Sequence, residues 1–224
     1  MSHAQLPPLP KYARAWAPAV VIAILLAATC ISLVALDLDI AVYAKRLEGT
    51  TLFRIGSAIT DLGKGMWILG VGLAALTAYG IVWRNFERAS AAAYFCVAVL
   101  SAGVIGAAAK FVFARPRPKL LYDQGIHDFA WFRVSHDWTS FPSGHATTVA
   151  AAMTALWYVA PRYRMLSIAV GLVLMSTRFL IHAHYLSDVT IAGAVGIASA
   201  VAVVPAFEAA AQRIRRKIEA GSRT

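Results

Sequence analysis

Charge is what this sequence has least of. Asp, Glu, Lys and Arg make up 14% of its 224 residues while 59% are hydrophobic, whereas about a quarter of a soluble domain is charged. A soluble globular domain is excluded on that ground. Cysteine is nearly absent: Cys30 and Cys96 are the only two. Both fall in apolar stretches at different depths, so they read as apolar filler, with neither a disulfide nor a thiolate metal centre expected. Gly/Ser-rich linkers, internal repeats and low-complexity tracts are also missing. One domain over residues 1–224 is expected, with a motif-bearing core at 110–188 and a basic tail at 208–224.

Long apolar runs are what the sequence has in quantity. Six are long enough to cross a hydrocarbon core of about 30 Å at about 1.5 Å per helical residue: Pro18 to Leu36, Met66 to Trp83, Ser90 to Phe113, Ser143 to Ala160, Met165 to Ile181 and Leu186 to Phe207. The first follows Lys11 and Arg14, and Val42-Tyr43-Ala44 loosely suggests a cleavage site. Its length favours a membrane span over a secretory signal, whose apolar region runs to about 7–15 residues. The expected fold class is therefore all-α, a polytopic membrane protein of six transmembrane helices. Between spans 1 and 2, Ile40, Tyr43, Leu47, Phe53, Ile55, Ile59 and Leu62 are spaced for a helix lying in the interface plane. The loop 114–142 carries Tyr122, Phe129, Trp131, Phe132, Trp138 and Phe141, suited to the headgroup region.

The net charge of +10 divides unevenly across such a topology. One side holds the N-terminus, the Arg84 to Arg88 turn, the Arg162 to Arg164 turn and the C-terminal tail, with eleven Lys and Arg against three Glu; the other has ten basic and eight acidic residues. The first side is expected to be cytoplasmic, with both termini there and the opposite end facing the periplasm or exterior of a bacterial-type inner membrane. Arg213, Arg215, Arg216 and Lys217 suit anionic headgroups. No aromatic interleaving supports nucleic acid as a partner.

Polar residues gather at that second side. Lys110, Arg115 and Arg117 end the third span, Ser143, Gly144 and His145 open the fourth, Arg178, His182 and His184 close the fifth, and Asp188 begins the sixth. Ionisable groups at membrane depth mark functional sites. Fixed cations with histidines and one carboxylate describe a pocket for a multiply charged anion, and phosphate suits the Arg fork and the Lys point charge. Pro142 fits a first helical turn, Ser143 a cap and Gly144 a close backbone approach, which would aim the helix amides at the anion. His184 and Asp188, four apart, would share a helix face, the carboxylate accepting from one ring nitrogen and freeing the other.

These residues resemble the three motifs of the type 2 phosphatidic acid phosphatase (PAP2) superfamily, which shares its site architecture with vanadium haloperoxidases. Lys110, six residues, Arg117-Pro118 is similar to the first; Pro142-Ser143-Gly144-His145 matches the second; Thr177-Arg178, five residues, His184, three residues, Asp188 is similar to the third, with Thr177 where the family has serine. The spacing selects Arg117 over Arg115 and His184 over His182. The resemblance implies that Lys110, Arg117, Arg178, Ser143 and Gly144 bind the phosphoryl oxygens. It implies that His184 attacks to form a phosphohistidine, that Asp188 orients it, and that His145 acts as general acid and then base. No metal or other cofactor is implied, since the cations meet the developing charge.

The expected function is a membrane lipid phosphatase taking its substrate laterally from the bilayer. Undecaprenyl pyrophosphate, phosphatidylglycerophosphate, phosphatidic acid and lipid A phosphates all fit, with polyprenyl-carrier recycling favoured on frequency. A lipid phosphotransferase using the same site, or a non-catalytic transporter of anionic lipid, is the alternative. His182, His127 and His136 read as structural or solvated, and Gly193 to Gly196 as a small-residue face for packing within or between chains.

Overall fold

The computed structural model describes residues 17–133 and 135–221. Helix α1, Ala17–Ile31, passes through a π-helical turn, Ser32–Leu36, into α2, Asp37–Arg46, giving one 30-residue apolar helix. Gly49, at φ 82°, turns the chain into α3, Thr51–Thr60, where the Thr50 hydroxyl caps the Phe53 amide at 3.3 Å. Helix α4, Gly65–Thr77, ends in a second π turn, Ala78–Val82, and α5, Phe86–Val112, begins at an Asn85 cap. Two-residue strands β1, Phe113–Ala114, and β2, Ala130–Trp131, pair antiparallel around the short helix α6, Pro118–Gln124. Helices α7, Gly144–Val159, α8, Arg164–Leu180, and α9, Leu186–Gly221, complete the chain.

Five of these stretches are long and apolar enough to cross a bilayer: Ala17–Arg46, Gly65–Val82, Phe86–Val112, Pro161–Leu180 and Leu186–Ala209. The protein is a multi-pass, all-helical membrane protein. The remaining expected span, 143–160, is the 16-residue helix α7, roughly 24 Å long and short of the hydrocarbon thickness. Its shortness has a structural setting: Ala146, Ala150, Ala151 and Ala155 have no exposed surface, so α7 is sheathed by other helices rather than by lipid. The segment 37–65 is not one interfacial helix. Its first third continues the opening helix, burying Asp37, Ala41 and Ala44, and only α3 stands apart, with Gly56 against Leu180 and Ile181 of the α8 end.

Helices α7 and α9 form the centre, enclosed by α1, α5 and α8. They approach backbone to backbone: a β-carbon on Gly196 would stand 2.5 Å from the Thr147 carbonyl oxygen and 2.9 Å from the Ala151 nitrogen. Only glycine permits that approach. The Gly193 to Gly196 face therefore packs within the chain, Gly193 meeting Met175 and Leu25. Tyr94 of α5 donates to the Ala200 carbonyl at 3.0 Å, and the Thr29 and Thr190 hydroxyls join α1 to α9 at 2.8 Å. Val34, Val71, Ile81, Val104 and Leu172 point outward, as lipid-facing side chains do. Cys30 is exposed on α1 and Cys96 buried in α5. Lys11, Arg14 and Arg223 lie outside the described residues.

Candidate active site

Every expected site residue arrives at one end of the bundle. Lys110 sits in the last turn of α5, Arg117 at the N-cap of α6, Ser143 at the N-cap of α7 with Gly144 and His145 following, and Arg178 in the last turn of α8. His184 lies in the turn before α9 and Asp188 in its first turn. Pro142 precedes the cap rather than filling the first turn. The Ser143 amide donates to the Asp188 carbonyl at 3.0 Å, which locks the start of α7 to the start of α9.

The histidine and the aspartate are arranged differently from what their spacing suggests. His184 is not on a continuous helix with Asp188; its amide closes the end of α8 by donating to the Arg178 carbonyl at 3.1 Å. Its Nδ1 lies 2.9 Å from the Ser140 carbonyl oxygen and 3.7 Å from Asp188 Oδ2. The carbonyl, an obligate acceptor, places the proton on Nδ1 and leaves Nε2 unprotonated. Asp188 is engaged elsewhere. Oδ2 accepts from the Ser140 hydroxyl at 2.6 Å and from the Tyr185 amide at 2.9 Å, and Oδ1 accepts from Arg115 at 2.7 Å. The Tyr185 bond is the reach of a third-position carboxylate back to the amide that opens its helix. Burial drives the His184 imidazole down to about 4; Lys110 and Arg117 push the same way and Asp188 opposes them. The ring is neutral at pH 7.

The cations are each tethered on one side. Lys110 Nζ donates to the Thr139 carbonyl and passes over Gly144, where a β-carbon would come within 3.3 Å of its Cε. Arg117 Nε donates to the His136 carbonyl at 3.0 Å. Arg178 Nη1 donates to the Thr60 hydroxyl at 2.7 Å, and its buried Nε has no hydrogen-bond partner among the described residues. The fields of Arg117, Arg178 and Asp188 reach Lys110, and those of Arg178, His184, Asp61 and Lys64 reach His145. His145 Nε2 is buried, without a hydrogen-bond partner among the described residues, and covered by Gly63. Together they gather three cations, a helix N-terminus and two imidazoles at one place, a lining whose chemistry suits an anion with several oxygens. Among the described residues, no three His, Cys, Asp or Glu side chains stand together as metal ligands.

Five contributors escape motif reasoning: Asp37, Thr60, Gly63, Arg115 and Ser140. Arg115, set aside by motif spacing, is buried and forks between Asp188 at 2.7 Å and Asp37 at 2.8 Å. A signal for these two was present, since Asp37 interrupts an apolar run and Arg115 is a second Arg-Pro. Thr60, Gly63 and Ser140 have none, being common residue types in unpatterned segments. His182 stacks on Phe53 at 5.4 Å and lies 3.9 Å from Glu48 at the α2–α3 corner. His136 is exposed and His127 half-buried.

The sequence profile of the PAP2 superfamily matches residues 91–211, more than half of the chain. The chain is 32% identical over 145 residues to the lipid A 1-phosphatase of Rhizobium johnstonii, covering 60% of this chain and 59% of that protein. It is 31% identical over 145 residues to the lipid A 1-phosphatase of Rhizobium etli, covering 60% and 62%. The chain thus matches about three fifths of the length of these curated relatives. Its fold is similar to the crystal structure of a transmembrane PAP2 type phosphatidylglycerolphosphate phosphatase from Bacillus subtilis. The TM-score is 0.58 at 17% identity, over 86% of this chain and 96% of that one.

Proposed function

The chain belongs to the PAP2 superfamily, and on that premise we propose that it is a membrane phosphatase that cleaves a lipid phosphate through a phosphohistidine on His184. The observation that carries this reading is the His184 ring, held at Nδ1 by the Ser140 carbonyl at 2.9 Å, with Nε2 left as the free lone pair. Nε2 attacks phosphorus while Lys110, Arg117, Arg178 and the α7 N-terminal amides at Ser143 and Gly144 meet the charge on the equatorial oxygens. As the P–O bond to the lipid breaks, His145 gives its proton to the departing oxygen. In the second half, His145 takes a proton from water, the water oxygen bonds to phosphorus, and the P–N bond breaks to release phosphate and free His184. Asp188 stabilises the charged imidazole 3.7 Å away. The cations do the work a metal would otherwise do, so chelator is expected to leave turnover intact.

The substrate class is an anionic lipid whose phosphate stays wet while its tail stays in the bilayer. The two Rhizobium relatives, both lipid A 1-phosphatases, move a glycolipid phosphate ahead of a polyprenyl carrier as first candidate. The working arrangement is a single domain in a bacterial inner membrane, with α7 as a sixth, enclosed crossing and the site at the end away from Arg84, Arg88, Arg162 and Arg164. The test is phosphate release in detergent from lipid A, phosphatidic acid, phosphatidylglycerophosphate and undecaprenyl pyrophosphate, with excess chelator, for wild type, His184→Ala and His145→Ala. Release by wild type from at least one lipid, lost in both variants, is expected. Full activity in His184→Ala would falsify the mechanism, and loss with chelator would remove its metal-free part.

A further inference from the structure

We propose that Asp37, on the first membrane helix, is a positioning residue for phosphoryl transfer: through Arg115 it sets the charge that Asp188 presents to His184. The inference rests on His184 being the nucleophile.

Asp37, Arg115 and Asp188 form one buried chain of ion pairs. The side chains of Asp37, Arg115 and Asp188 are 2%, 5% and 0% exposed. Arg115 Nη1 donates to Asp188 Oδ1 and to the Ser187 hydroxyl, both at 2.7 Å, and Nη2 donates to Asp37 Oδ2 at 2.8 Å. The Tyr185 ring lies 4.0 Å from the guanidinium and Phe129 5.0 Å, so the fork is clamped in its plane. Asp37 also accepts from the Ser32 hydroxyl at 2.6 Å, from the Ser187 amide at 2.9 Å and from the Ser187 hydroxyl. With that many donors it is a firmly held carboxylate.

Charge balance gives the arrangement its consequence. One cation is shared between two carboxylates, so Asp188 is only partly neutralised and retains a field at His184. Without the Asp37 charge, the whole guanidinium would answer Asp188, and less of its field would remain to favour the charged imidazole that forms during transfer. In a buried, weakly screened setting such a difference is felt at the ring. The local backbone is consistent with a dedicated device. The π-helical turn Ser32–Leu36 stands immediately before Asp37, and while Leu36, Leu38 and Asp39 are exposed, Asp37 points inward. Single π turns commonly re-aim a side chain at functional sites. Packing alone gives little reason to keep buried charges here, since well-packed apolar residues often replace such groups without loss of stability.

The charged or titratable groups facing His184 are Asp188 from α9, Lys110 from α5, Arg117 from the α6 N-cap and His145 from α7. The test follows the His184 titration by NMR in the full 15N-histidine-labelled chain in detergent, assigned with His184→Asn, beside kcat and KM for dioleoyl phosphatidic acid micelles. Asp37→Asn is expected to lower the His184 titration by about one pH unit and kcat by about tenfold with KM within about twofold; Asp37→Glu restores both. A purely structural Asp37 predicts the reverse order, since Asn is isosteric and Glu is larger, with no movement of the titration. Ser32→Ala takes a donor off Asp37, draws Arg115 toward it and shifts the titration slightly upward. An unmoved titration in folded Asp37→Asn, or in Ser32→Ala should Asp37→Asn not fold, overturns the proposal. Retained turnover in His184→Ala would instead strike the nucleophile assignment, and the titration would still decide whether Asp37 acts on the ring.

Discussion

Gly63 lies directly against the His145 imidazole: a β-carbon at Gly63 would stand 2.1 Å from Nε2 and 2.6 Å from Cε1. The turn that joins α3 to α4 is thus a wall of the site, and glycine is what lets it close on the ring. Gly63→Ala is expected to push either the turn or the imidazole aside and to lower kcat/KM for phosphate release by roughly tenfold or more, because small displacements of a catalytic group are costly. Gly70→Ala, whose β-carbon would meet nothing outside its own helix backbone within 4 Å among the described residues, serves as the control and should leave kinetics unchanged.

The Thr60 hydroxyl receives both Arg178 Nη1 at 2.7 Å and the Thr177 hydroxyl at 2.9 Å. Thr60→Val keeps the shape and removes the acceptor for a buried cation. A hydrogen bond to a charged group contributes about 1.5–3 kcal/mol, so KM for the lipid phosphate should rise by about ten- to a hundredfold. Thr177→Ser keeps the hydroxyl and should hold activity within about twofold, while Thr177→Val should not. Equal kinetics for the two Thr177 variants would mean that this bond does not orient Arg178.

The pH dependence of stability follows from His184. Its folded pKa of about 4 lies below the unfolded value of about 6.5. Between those values the unfolded chain binds a proton that the folded chain rejects, so stability rises with pH there and is lost as pH falls from 6.5 toward 4. The full difference is about 3 kcal/mol. The melting temperature in detergent should drop over that window, and His184→Asn, which cannot titrate, should drop less. Parallel curves for the two proteins would contradict the buried, neutral ring.

Gly196 tests the central packing. A β-carbon there would meet the Thr147 carbonyl at 2.5 Å and Ala150 Cβ at 2.7 Å. Overpacking of this kind costs about 1–3 kcal/mol, so Gly196→Ala should lower the melting temperature. It should also weaken phosphate release, because α7 presents Ser143 and His145 from its first turn. Gly103→Ala, whose nearest neighbour is 4.0 Å away, should gain a little stability from helix propensity.

The apolar runs and the three motifs were legible in the sequence, because hydropathy and short spacings are local properties; that the first helix runs on to Arg46 and the last to Gly221 was not. The apolar runs and the positions of Lys110, Arg117, Ser143, His145, Arg178, His184 and Asp188 are read without knowing what touches what. The sequence alone therefore determined a membrane helical bundle whose polar motif residues gather at one end. Tertiary structure decided the partnerships. Spacing paired His184 with Asp188, yet the Ser140 carbonyl, 44 residues away, takes the ring proton. Asp188 turns to Arg115 across 73 residues, and Arg115 to Asp37 across 78. A buried charge or imidazole takes whichever donor or acceptor the packed helices bring within about 3 Å. That reach is set by the approach of helices such as α7 and α9 at Gly196, which linear spacing does not contain.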